Sequence, residues 1–256
     1  MRGRFASRRR LNWLGTLATV ISLGVLTPYQ SKAATNSWVG TAGIGSWSLV
    51  SNWSGGLPTA GDDVFINFPP FPNSFVSSTF IQGSSFSIRS LRSNANLTID
   101  ASTLFIGGPV DNEVNGLVSL INNSTLNVQS PVFKSTSLEL GVSTLIGTFE
   151  TTDLTVTGTN SLTGIISATG TVNLVNGQLV GGEVQVDGAT ISSFELTGLR
   201  STGFVLVDNS SITDWSLAGS ADVTGSDVFV TNLDHTGSLV SSQGGRLNLT
   251  GGSSTL

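Results

Sequence analysis

The stretch Val184 to Gly198, VQVDGATISSFELTG, returns 21 residues later as Val205 to Gly219, VLVDNSSITDWSLAG, with its apolar residues at the same spacing. Each copy reads as a short alternating strand (Val184, Val186; Val205, Val207), an Asp followed by a small turn-former (Asp187-Gly188; Asp208-Asn209), and a second run (Ile191, Phe194, Leu196; Ile212, Trp215, Leu217). The turn phrase also occurs as Ile99-Asp100-Ala101-Ser102-Thr103-Leu104 and as Ile121-Asn122-Asn123-Ser124-Thr125-Leu126, 22 residues apart. A period of this size, with apolar alternation of two and no helical pattern, predicts an all-β, right-handed parallel β-helix (β-solenoid) with an N-terminal cap, built from two strands in each coil of ~21 residues. Stacking then places Ile99, Ile121, Val186 and Val207 inside. It also puts Asp100, Asn122, Asp187 and Asp208 on one shared corner, where Asx side chains bond nearby backbone.

Composition narrows the class. Of the 256 residues 38% are hydrophobic, but only 11% are charged, against roughly a quarter in a typical soluble domain. The surface is therefore polar without being charged. Six basic residues (Arg2, Arg4, Arg8, Arg9, Arg10 and Lys32) stand in the first 34 positions with no acid among them; beyond these, five basic residues face sixteen acidic ones, a net charge of -11. So acidic a body does not bind nucleic acid or anionic membranes by charge. The absence of Cys removes disulfides and thiolate metal sites.

Residues 1–33 have the layout of a secretory signal peptide: an Arg-rich start, an apolar run from Leu14 to Leu26, and a polar close with Ser31 and Ala33 at the third and first positions before a cut preceding Ala34. This run of thirteen residues, broken by Gly, Thr and Ser, falls short of the ~20 that span a bilayer as a helix. Ser7-Arg8-Arg9-Arg10-Leu11 also resembles a twin-arginine signal, so both export routes stay open. Residues 34–78 then hold an aromatic block and a Pro-rich loop. The block runs through Trp38, Trp47, Asn52-Trp53-Ser54-Gly55-Gly56, Pro58 and Gly61-Asp62-Asp63-Val64-Phe65-Ile66. Its tryptophans, Gly-Gly turn, Pro and paired Asp resemble the N-terminal block of secreted bacterial β-helix surface proteins, both autotransporter-passenger-like proteins and extracellular proteins with a PEP-CTERM sorting tail. The resemblance covers about 30 residues. It implies an exported solenoid at the cell surface and says nothing of an activity. Physically, three large rings suit a plug over an open solenoid end, and a sugar-binding aromatic platform is the alternative. Residues 79–256 are the repeats, expected to continue beyond Leu256 or to associate end to end there, with the stretch from Gly141 to Gly170 read as an inserted loop or a coil of different size.

The residues that can carry chemistry are few. Asp208, Asp214, Asp222 and Asp227 supply enough oxygens for Ca²⁺ or acid/base work on paper, but Arg200 and Arg246 are the only basic residues after Lys134. His235, the single histidine, has no Gly-x-Ser-x-Gly elbow and no metal-spaced second His beside it, and reads as a solvent-facing turn residue. No catalytic, cofactor-binding or metal-ligating residue is therefore assigned. The pattern favours a non-enzymatic scaffold or adhesin-like module, secreted or at the cell surface, with carbohydrate or other surface proteins as partners; the alternative is a polysaccharide-active enzyme, a lyase or glycoside hydrolase. An enzyme should gather Asp with Arg, Lys or His on one face, whereas a scaffold should scatter them. Mass spectrometry of the exported protein is expected to find its N-terminus at Ala34 or within a few residues of it, and intact Met1 material in a membrane fraction would indicate an anchor instead.

Overall fold

The computed structural model describes residues 33–40, 44–67 and 78–251, all within the compact unit Ala33–Leu256. The predicted leader, Ala33 apart, the Pro-rich run at 68–77 and the last five residues lie outside the described residues. Strand follows strand from Ala34–Ser37 to Arg246–Thr250, and one 3-10 turn at Val50–Asn52 is the only helical piece among the described residues. The strands pair in parallel and the chain winds through about 9 turns, which is the β-solenoid the alternation predicts.

Each turn has three walls rather than two. From Val184 the inward residues are Val184 and Val186 on the first wall, Ala189 and Ile191 on the second, and Phe194 and Leu196 on the third; Leu199 and Ser201 then return above Val184 and Val186. The corner between the third and first walls is turned by residues in the left-handed region, stacked on one another: Gly198 (φ 74°), Asp214 (φ 58°), Asn232 (φ 60°) and Gly251 (φ 73°). Only Gly, Asn and Asp visit that region routinely, so these types recur at the corner. Asn232 Nδ2 donates to Asp214 Oδ1 at 2.8 Å, tying one left-handed corner to the next. At the corner between the first and second walls stand Gly188, Gly203, Gly219 and Gly237. There the coils pass so close that a Cβ on Gly203 would collide with the carbonyl of Asp187, one on Gly219 with that of Gly203, and one on Gly237 with that of Gly219.

The 21-residue repeat is not the coil. Val184 pairs with Leu199, Ala189 with Val205 and Glu195 with Ser211, offsets of 15, 16 and 16. Val207 therefore sits on Ile191, not on Val186. The copies resemble each other because 21 residues carry the chain through one coil and on to the next wall, and successive walls use the same strand-turn phrase. Coils of 21 and 22 do occur lower down, where Leu97 pairs with Val118 and Thr103 with Thr125. There Asp100 and Asn122 are stacked as expected, Asn122 Nδ2 donating to Asp100 Oδ1 at 2.7 Å. Asp187 and Asp208, by contrast, stand at different corners, since one follows a first-wall strand and the other a second-wall strand. Ile121 is also displaced: Leu120 lies over Ile99 inside, and alternation turns Ile121 outward. No inserted loop occupies 141–170. Ser143–Ala168 is strand throughout, passing over the walls with wide-open Gly147 (φ 132°) and Gly164 (φ 129°) at its bends.

The second wall's interior is an unbroken aliphatic column of Ile99, Leu120, Leu140, Val156, Leu174, Ile191, Val207 and Val223, each at most 2% exposed. Burying such a side chain contributes about 1.5–3 kcal/mol. The first wall mixes its rungs, with Phe133 against Phe149 (centroids 6.0 Å apart) and Trp215 donating its Nε1–H to Ser201 Oγ at 3.1 Å. Some buried polar residues bridge successive coils. Asn112, fully buried, accepts from Leu91 N at 2.7 Å and donates to Ser130 Oγ at 2.7 Å and Val110 O at 3.1 Å. At the foot of the solenoid Trp38, Trp47 and Trp53 are buried in edge-on contact, and Trp53 Nε1 donates to the Trp47 carbonyl at 2.7 Å.

Because the chain has no native Cys, paired replacements report the register directly. Thr190→Cys with Leu206→Cys joins neighbours in the ladder and is expected to form a disulfide on oxidation, while Gln185→Cys with Leu206→Cys, 21 apart, is expected to stay reduced. The reverse outcome, read by thiol titration, would restore the 21-residue coil.

Candidate functional site

What the solenoid offers a partner is the outer surface of its walls. Strand alternation sends one residue out between each inward pair, and stacking arranges these residues in files at the ~4.8 Å spacing of the ladder. On the first wall the file reads Arg92, Glu113, Lys134, Glu150, Ser167, Gln185, Arg200, Ser216, Asp234. Four of the five basic residues beyond the leader, Arg89, Arg92, Lys134 and Arg200, are thus on or beside one wall. Three of them are ion-paired: Arg89 Nη1 with Asp63 Oδ2 at 3.0 Å, Lys134 Nζ with Glu150 Oε2 at 3.3 Å, and Arg200 Nε with Glu183 Oε1 at 3.1 Å.

The charges therefore gather, but in single file and with alternating sign. Each cation faces an anion one rung away, and half-exposed pairs of this kind leave little field for a ligand. The acids considered for catalysis are dispersed. Asp214 stands at the corner before the first wall, Asp222 is in the middle of the second wall, and Asp208 and Asp227 flank the corner between the second and third. Among the described residues no group of three or more His, Asp or Glu is placed to hold a metal ion. His235 is not at a solvent-facing turn. It occupies an inward position of the first wall above Leu217 and is 9% exposed, because Asn232 makes the corner and alternation then turns Leu233 and His235 inward.

The three tryptophans of the N-terminal block offer no platform, since their rings are packed against one another and against Phe86. Exposed aromatic surface lies elsewhere. Phe204 (55% exposed) begins a second-wall strand directly above Gly188, and Phe229 (50% exposed) projects from the third wall above Ser211. Sequence reasoning passed over both. The true coil length would have revealed them as outward positions, because Phe204 follows the corner Gly203 and Phe229 lies between inward Val228 and Val230. No family model, curated protein or solved structure matches this chain.

The charge file is expected to add little to stability. In a double-mutant cycle of Lys134→Ala and Glu150→Ala, chemical denaturation should give a coupling below about 1 kcal/mol that shrinks further with added salt.

Proposed function

We propose that the protein is an exported, non-enzymatic β-solenoid acting as a scaffold or adhesin-like module at the cell surface or in the extracellular matrix. The observation that carries this reading is how the carboxylates are used. Asp153 accepts from Thr171 N (2.9 Å), Asp187 from Thr202 Oγ1 (3.1 Å), Asp208 from Ser226 N (3.0 Å), Asp214 from Asn232 Nδ2 (2.8 Å) and Asp222 from Ser242 Oγ (2.9 Å). In every case the donor belongs to the next coil. These acids bond rung to rung, whereas a general acid or base must be aimed at a substrate.

The composition supports export, as does the leader-like layout of the first 33 residues: such a surface stays hydrated through hydroxyls and amides rather than charge. A polysaccharide lyase or hydrolase would need an unpaired base or an acid pair facing an open groove; Lys134 does line an open depression of about 370 Å³ on the first wall, but there it is ion-paired with Glu150, as Arg200 is with Glu183.

Two measurements test the reading together. Purified protein incubated with pectin, alginate and related polymers is expected to release no unsaturated products and no new reducing ends. Antibody labelling of intact producing cells, or of their medium, is expected to find it outside. Turnover of any polymer would establish the enzyme instead, and an exclusively cytoplasmic pool would remove the export half of the proposal.

A further inference from the structure

Beneath Phe204 the second wall is hollowed. A depression of about 410 Å³ lies there, lined by Thr169, Thr171, Asp187, Gly188, Thr190 and Phe204 among others. Its origin is the glycine corner. Outward residues fill the file above and below, with Thr171 one rung under Gly188 and Phe204 one rung over it, but Gly188 contributes no side chain. A notch one rung high is left, with a half-exposed aromatic ring at its upper edge and hydroxyls at its lower edge. Asp187 stands beside it, its Oδ1 accepting from Thr202 Oγ1 at 3.1 Å.

We infer that this notch binds a neutral glycan chain. Three features of the lining select that class. The ring supplies an apolar face of the size of a pyranose, against which sugar C–H groups pack as they do on aromatic side chains generally. Threonine hydroxyls and the Asp187 carboxylate supply directional acceptors for sugar hydroxyls. No Arg, Lys or His lines the hollow, so a uronate, sulfate or phosphate would meet only the Asp187 carboxylate and no compensating cation. Charge complementarity thus excludes acidic polymers and leaves hydroxyl-donating, uncharged ones. The volume is within the range of small-ligand sites, and the open outer side suits a chain that passes across the wall rather than an enclosed molecule.

The same combination recurs on the third wall. A depression of about 330 Å³ is lined by Phe229, Glu195, Asp227, Asn209, Ser193 and Ser211 among others, again with an exposed phenyl ring, carboxylates, amide and hydroxyls and again without a cation. Two shallow sites of equal chemistry on one rigid body raise the apparent affinity for a polymer beyond that of either alone.

The inference stands apart from the export proposal, because it concerns binding by the purified chain. Affinity electrophoresis in native gels tests it, using xyloglucan, mixed-linkage glucan, galactomannan and arabinoxylan as neutral probes, and alginate and polygalacturonate as acidic ones. Retardation by at least one neutral polymer and by neither acidic one is expected. Phe204→Ala should weaken that retardation about tenfold or more, as truncating an aromatic anchor does. Phe204→Ala with Phe229→Ala should abolish it, and Val110→Ala, which trims an exposed apolar residue elsewhere, should leave it unchanged. Both phenylalanines are half exposed, and retained circular dichroism confirms that the variants fold. Migration unaffected by every neutral polymer, retardation by the acidic ones, or undiminished retardation of the double variant would overturn the inference.

Discussion

Each coil of this protein is hydrogen-bonded through its backbone to the coils above and below, at the fixed spacing of a parallel ladder. That spacing leaves no freedom over what a side chain meets, since every residue lies on the equivalent residue of the coil beneath. Inward positions therefore form columns, and a polar member of a column is costly wherever its neighbours do not satisfy it. The aliphatic second wall avoids the problem. Asn112 on the first wall meets it by bonding to Leu91 in one coil and Ser130 in another, so that removing its amide would strand a buried backbone N–H at a cost of about 1–3 kcal/mol. The glycine corner expresses the same constraint in its severest form, because backbone is pressed against backbone there and any side chain would hold the coils apart.

The class of fold was legible from alternation and turn chemistry, since both are local properties of the chain. The coil length was not legible in the same way. The 21-residue echo between Val184 and Val205 is genuine as sequence, but it compares one wall with the next rather than a wall with itself. Apolar spacing cannot distinguish the two, because all three walls bury Val, Leu and Ile at alternate positions. A better ruler was present in Gly203, Gly219 and Gly237, which stack on one another at steps of 16 and 18 that follow the coil, because each comes too close to the backbone beneath it to carry a side chain. The same wrong ruler made 141–170 look irregular and placed His235 on a turn. At the surface, the pairing of Lys134 with Glu150 and the exposure of Phe204 depend on residues in different coils, so neither was visible before the coil length was known.

The outer walls divide the work that a surface can do. The first wall carries nearly all the basic charge of the body and pairs three of its four cations with carboxylates of neighbouring coils. The second and third are mostly hydroxyl and amide, interrupted by carboxylates that bond to the next coil and by two exposed phenylalanines. A large negative charge is thereby spread along the length of the stack with little repulsion between neighbouring rungs. The result is a pair of walls rich in hydroxyls and amides and poor in cations.

The likeness of the three walls has a further consequence for how the chain reaches its native winding. A segment wound one wall out of phase still lays Val on Val and Leu on Leu, so hydrophobic burial alone discriminates weakly among rotational isomers of the rod. The phase is set by the few residues with a single acceptable seat: Asn112 beneath Ser130, Trp215 with its indole on Ser201, and Gly219 and Gly237, where a Cβ would strike the carbonyl of the coil beneath. They act as detents in an otherwise smooth screw. A chain stripped of them would keep its strands and its core while losing its unique pitch, which makes these scattered, unrepeated residues the source of order in a repetitive molecule.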